Sequence, residues 1–152
     1  TEFKSKLPEF DSPIPRGDVD QAFIVILAGS SMDQMQEFYC DNFNLEKAAV
    51  MDSRIRAISR VFGNPEDTKY KSAAIPIKDQ CLIEIDELPD GSTKRSSEPG
   101  YLLPGISMVS FLAYGNALRD SLSYRCNLTH LKGKKCSIIH GNEQEIIELV
   151  HK

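Results

Sequence analysis

Two short apolar segments constrain the fold of this chain more than any other feature. Ile83-Glu84-Ile85 and Ile147-Glu148-Leu149-Val150 each set one glutamate among aliphatic side chains. Successive side chains of a strand point to opposite faces, so each glutamate lies on one face and its immediate neighbours on the other. Each segment ends a stretch that opens with another apolar run, Ala22-Phe23-Ile24-Val25-Ile26-Leu27 in the first case and Ile106 to Ala113 in the second. The pattern is that of two similar halves, each closing on a strand that carries a carboxylate.

The run from Gln21 to Ala28 is short, β-branched and bounded by Gly29-Ser30, which predicts a buried strand. A helix follows. Ser31 and Gln34 have capping-box spacing, and Met32, Met35, Phe38/Tyr39 and Phe43 form one apolar face. Asn44 stands where a helix often stops in a left-handed residue. Between Lys47 and Phe62 the pattern is ambiguous. Arg54, Arg56 and Arg60 alternate with apolar residues and favour a strand, while a helical reading stays open. Asn64-Pro65-Glu66-Asp67 is a turn, and Tyr70–Ile77 and Cys81–Leu88 are predicted strands. Pro89-Asp90-Gly91-Ser92 then opens a break that Pro104-Gly105 closes.

After the break the pattern restarts. Ile106–Ala113 is a strand, Asn116 caps a short helix through Ser121, and strands follow at Asn127–Leu131, Lys135–His140 and Glu145–His151. Strand, helix and three strands thus occur twice, which implies an α+β fold. The predicted organisation is an extended arm over residues 1–19, with Pro8, Pro13 and Pro15, a first βαβββ module over 20–88, a linker over 89–104 and a second module over 105–152, all in one compact domain.

Composition narrows the function classes. With 41% hydrophobic residues among 152, the chain can bury a core without disulfides or a structural metal. A net charge of -4 is a poor match for nucleic acid, whose binding rests on neutralised phosphates. The basic clusters Lys94-Arg95 and Lys132/Lys134/Lys135 are short and read as solvated turns. No apolar run approaches a membrane span and no signal-peptide pattern opens the chain, so the expected setting is cytoplasmic, without membrane contact. None of the four cysteines forms a C-x-x-C pair, and Cys40 and Cys81 read as core residues.

Glu148 is the more informative glutamate. Ile146 and Val150 share its face, and a carboxylate buried in such a row needs a partner, a ligand or a proton, which suits it to acid/base work. The competing reading is a surface glutamate whose strand turns Ile147 and Leu149 inward. Glu84 shares a more polar face with Leu82 and Asp86. Arg56 and Arg60 can hold a ligand carboxylate or phosphate, or simply be solvated. His140 ends a strand beside Gly141 and can reach a pocket mouth, although a surface histidine is the default. Phe23, Met108, Phe111 and Tyr114 read as core or pocket lining. The three histidines have no metal-ligand spacing, and no nucleophile, P-loop or dinucleotide motif is present.

Phe38-Tyr39…Phe43-Asn44-Leu45, after an apolar strand and a capped helix, is similar to the F-Y-x-x-x-L-G-F region of the vicinal oxygen chelate superfamily, the glyoxalase/bleomycin-resistance/ring-cleaving dioxygenase group. Asn44 replaces the usual glycine. Ile83-Glu84-Ile85 and Ile147-Glu148-Leu149-Val150 resemble the glutamate-bearing last strands of the two modules, and Gly105-Ile106-Ser107-Met108-Val109 resembles the start of the second. The resemblance spans residues 20–152. It implies paired βαβββ modules whose curved sheets enclose a cup, a divalent metal held by first- and last-strand residues, and a homodimer. The first-strand ligand positions fall on Phe23 and Met108, neither of which serves a hard divalent metal. The two last-strand positions fall on Glu84 and Glu148. The resemblance therefore points to a small-molecule enzyme of lyase, isomerase or dioxygenase type that can work without a metal, with a non-catalytic, drug-sequestering binding protein as the alternative.

Overall fold

The computed structural model describes residues 22–77, 81–113, 126–129 and 133–151. The elements run β1 (Ile24–Gly29), α1 (Met32–Phe43), β2 (Met51–Arg54), α2 (Arg56–Phe62), β3 (Lys69–Ile77), β4 (Cys81–Glu87), β5 (Met108–Ala113), β6 (Cys126–Thr129), β7 (Lys135–His140) and β8 (Ile146–His151). The predicted arm, Tyr114 and the helix predicted from Asn116 lie outside the described residues.

The strands form two four-stranded sheets with the same internal order, β1-β4-β3-β2 and β5-β8-β7-β6. In each, the first strand runs parallel to the last, and the remaining pairs are antiparallel. The repeat read from the two glutamate-bearing strands is thus a repeat of topology. Neither sheet closes into a barrel.

In the first sheet, alternation along β3 and β4 sends Ala73, Ile75, Ile83 and Ile85 to one face, where all are buried to within 1%. The stretch that favoured a strand over Lys47–Phe62 divides in two. Residues 51–54 pair with β3, and residues 56–62 coil into α2. The alternation of Arg56 and Arg60 with Ala57 and Val61 is therefore not a strand face. Ile58 and Ser59 are the inward side of a single short helix, and Ser59 shares a 3.1 Å hydrogen bond with the Tyr70 hydroxyl. Gly63 ends α2 with φ 68°, a left-handed conformation that glycine adopts without strain.

Helix α1 ends as its sequence predicts. Asn44 takes φ 53°, and the Leu45 N–H donates to the Cys40 carbonyl at 2.9 Å. Its start uses a distant acceptor, since the Met32 N–H donates to Glu87 Oε2 at 2.8 Å.

Contacts divide the chain into two compact units, and the division does not follow the sequence modules. The first unit holds the described chain up to Met32 together with Lys47–Pro89. The second holds Asp33–Glu46 together with the described part of Asp90–Lys152. All but the first residue of α1 therefore belongs with the second sheet. There Phe43 meets Phe111 edge to face with ring centroids 5.3 Å apart, and Phe111 joins Ile139, Ile147 and Leu149 in the buried core. No helix among the described residues is long and apolar enough to cross a membrane.

Candidate functional site

Register fixes what surrounds each glutamate. In the second sheet Glu148 pairs with Ser110 on β5 and Ile138 on β7. Partners in register share a face, so Met108, Ser110 and Leu112 of β5, Ile146, Glu148 and Val150 of β8, and Cys136, Ile138 and His140 of β7 line the same side. Glu148 is 8% exposed, and the Ser110 hydroxyl donates to its Oε2 at 2.5 Å. The surrounding row is apolar yet reaches solvent, with Met108 49% and Leu112 38% exposed. The site is thus a buried carboxylate set in an open greasy face.

That face leads into a cleft of about 350 Å³ lined by Ser97, Tyr101, Leu102, Leu103, Ser107, His140, Gly141, Gln144 and Ile146. Ile146 belongs both to the cleft and to the row of Glu148. The segment before β5 is braced as one wall. Arg95 Nη1 donates to the carbonyls of Pro104 and Ile106 at 3.2 and 3.0 Å, and Ser107 Oγ donates to the Leu103 carbonyl at 2.5 Å. The opposite wall is the β7–β8 turn. Its Glu145 carboxylate, 6% exposed, accepts the Tyr39 hydroxyl at 2.8 Å and the Glu143 N–H at 3.0 Å. Asn142 Nδ2 adds a 2.7 Å bond to the Gln34 carbonyl on α1. Burial first, and then the charge of Glu145, hold the Tyr39 hydroxyl far above its ordinary range, so it stays a donor.

In the first sheet Glu84 pairs with Ile26 on β1 and Ala74 on β3, and Asp86 lies two residues along on the same face. Burial and the neighbouring Asp86 charge push the Glu84 carboxyl up. Asp86 is 3% exposed, and its Oδ1 has no hydrogen-bond partner among the described residues. Burial raises its carboxyl too, and a hydrogen bond from Ser72 offsets part of that rise.

The other sequence-predicted positions separate from these faces. Phe111 is a core residue, one of the two readings its sequence allows. It points to the opposite side of β5 from Glu148 and is 3% exposed beneath α1. Phe23 precedes β1, where its carbonyl accepts the Leu82 N–H at 2.8 Å. Arg60 is an exposed helix residue whose guanidinium meets Glu66 at 3.1 Å. Met108 and His140, by contrast, both stand in register with Ile146 on the face of Glu148. Sequence reasoning missed Ser110 and the cleft residues Tyr101, Leu102 and Gln144. Ser110 becomes visible only once β5 is paired with β8.

The metal implied by the resemblance does not fit these residues. Ile26 and Ala74 beside Glu84, and Ile138 beside Glu148, offer no donor to a hard cation. Among the described residues no three His, Cys, Asp or Glu side chains converge on a common point.

No protein-family model and no curated protein sequence matches the chain. Solved structures do. A glyoxalase family protein from Bacillus cereus is 15% identical, with 91% of this chain and 98% of that one covered at a TM-score of 0.62. A glyoxylase/bleomycin resistance protein/dioxygenase domain from Frankia is 14% identical, with 89% and 97% covered at 0.56. A lactoylglutathione lyase from Agrobacterium tumefaciens is 14% identical, with 90% and 96% covered at 0.51. At such identities the likeness speaks for architecture alone, here two four-stranded sheets in each of which the first and last strands pair in parallel. The chain has the vicinal oxygen chelate fold of the glyoxalase/bleomycin-resistance/dioxygenase proteins.

Proposed function

We propose that the chain is a glyoxalase-like small-molecule enzyme of the proton-transfer kind, a lyase or isomerase, working at Glu148 without a metal. One observation carries the reading: a carboxylate only 8% exposed, bonded to Ser110, sits in a solvent-reaching apolar face. An apolar substrate body covering that face would exclude water and strengthen every electrostatic interaction beneath it. The carboxylate then removes a proton from a carbon beside a carbonyl. The electron pair of that C–H bond passes into the carbonyl as an enolate, and the carboxyl returns the proton to another carbon of the conjugated system. No oxidant or reductant is consumed. Ser110 positions the carboxylate through its hydroxyl.

The test is deuterium exchange at such carbons, followed by proton NMR in heavy water over a panel of ketones. Wild-type protein is expected to exchange a panel member faster than buffer, with no loss on adding EDTA. Glu148→Gln is expected to lower the rate by about 10²-fold or more, the scale of general acid–base catalysis. Exchange that survives this substitution, or that EDTA abolishes, refutes the proposal. Saturable binding without exchange instead supports the drug-sequestering alternative. A cytoplasmic homodimer belongs to the same proposal, and light scattering tests the oligomeric state.

A further inference from the structure

From the cleft beside Glu148 we infer that the substrate is an uncharged, ring-bearing carbonyl compound, its ring held between the 97–107 segment and the β7–β8 turn and its carbonyl oxygen held by His140. The inference rests on the proton-transfer reading of Glu148 and adds the substrate class and a second residue to it.

Charge gives the first argument. Of the nine described residues lining the cleft, none is Asp, Glu, Lys or Arg, and among them His140 is the sole titratable side chain apart from the Tyr101 phenol. Two cations of the same segment are turned to the protein's own backbone: Arg95 to the Pro104 and Ile106 carbonyls and Lys94 to the Asn142 carbonyl. A phosphorylated or multiply charged ligand would lose its hydration there and meet no counter-charge. A neutral one loses little.

Shape and exposure give the second. Tyr101, Leu102 and Ile106 are 74%, 68% and 74% exposed, so three large apolar side chains crowd one short segment at the cleft wall. Exposed apolar clusters of this kind mark binding surfaces. A cavity of about 350 Å³ suits a small molecule and is too small for a folded partner.

Register gives the third. His140 pairs with Ile146, two residues before Glu148 on the neighbouring antiparallel strand. Diagonal neighbours of this kind have Cα atoms roughly 7–8 Å apart on one sheet face. A carbonyl whose oxygen meets the imidazole therefore brings its adjacent C–H toward the carboxylate, while Ile146 lies beneath the ring. His140 is exposed at the end of its strand, so it can meet a ligand without rearranging the core.

The probe is 4-phenyl-2-butanone, titrated into methyl-labelled full-length protein, with glycerol 3-phosphate as the charged comparison. The Leu102, Leu103 and Ile146 methyl signals and the His140 ring signals are expected to move saturably with the ketone and to stay still with the phosphate. Leu102→Asp, at an exposed position, is expected to weaken ketone binding at least fivefold. His140→Ala is expected to raise KM and lower exchange of the bound ketone, and His140→Gln to restore part of both. Shifts confined to other residues, or equal shifts with the phosphate, overturn the inference. Repeating the titration with Glu148→Gln separates the two proposals. Cleft binding that persists while wild-type exchange is absent refutes the proton-transfer reading alone, and Glu148-dependent exchange without cleft shifts refutes this one alone.

Discussion

The hydroxyl of Tyr39 on α1 donates to Oε1 of Glu145 at 2.8 Å, joining two buried side chains 106 residues apart in the chain. Glu145 in turn shapes the β7–β8 turn that walls the cleft. Removing the hydroxyl leaves a buried carboxylate short of a donor. Tyr39→Phe is therefore expected to cost about 1–3 kcal/mol, read from urea denaturation. An unchanged midpoint would show that the bond is not a stabilising one.

Gly141 lies against the same carboxylate. A Cβ at this position would overlap the Glu145 side-chain oxygens. Gly141→Ala should displace the carboxylate and break the Tyr39 bond. The double variant with Tyr39→Phe should then lose less than the sum of the two single losses, because both changes act on one interaction. Additive losses would place the two residues in separate interactions.

Asp86 carries a buried oxygen without a partner among the described residues, and burial raises its carboxyl. A raised carboxyl contributes stability at low pH, where both folded and unfolded states hold the proton. That contribution falls as pH rises from the ordinary value of 3.8 through the raised one. Glu84 acts in the same direction. Asp86→Asn is expected to stabilise the fold at pH 8 more than at pH 3, by about 1 kcal/mol, read from urea denaturation. A gain equal at both values would mean that the charge is not what costs stability.

Glu87 behaves oppositely. The Met32 N–H first, and Lys71 with a 3.2 Å ion pair after it, hold its carboxyl below the ordinary value of 4.5. Its contribution is complete above that value and is lost as pH falls through the lowered one. Glu87→Gln should cost about 1 kcal/mol at pH 7, the scale of a helix cap, and nothing at pH 2. A cost that persists in acid would assign the effect to packing.

Ser110→Ala separates positioning from stability at the proposed site. Losing the hydroxyl should destabilise by about 1 kcal/mol, and Ser110→Thr, which keeps a hydroxyl, should restore exchange. The pH profile of exchange should shift in Ser110→Ala, which a purely structural role would not produce.

The two sheets were legible because their strands combine apolar runs with turn residues. β7 begins and ends where the alternation of Lys135–His140 places it. The second half of Lys47–Phe62 was misread because seven residues of α2 complete fewer than two turns, too few for a 3.6 period to outvote chance alternation. The choice between core and pocket lining at Phe111 is open in the sequence for a different reason. An aromatic on a strand can face either side, and only the pairing of β5 with β8 shows that it opposes Glu148. The start of α1 was read from Ser31 and Gln34, yet the Met32 N–H reaches Glu87, a residue 55 positions away that no local pattern could supply.

The assignment of α1 to the second unit has a consequence for synthesis. The helix leaves the ribosome before the sheet it covers, and Glu145 follows Tyr39 by 106 residues. At cellular elongation rates that delay is roughly 5–20 s, during which Met35, Tyr39 and Phe43 have no sheet to cover. A cut at the Pro89–Asp90 boundary would make the delay permanent, releasing one fragment with an unhoused helix and another with an uncovered sheet. Covalent continuity through the linker therefore keeps each half from presenting a sticky surface to other chains.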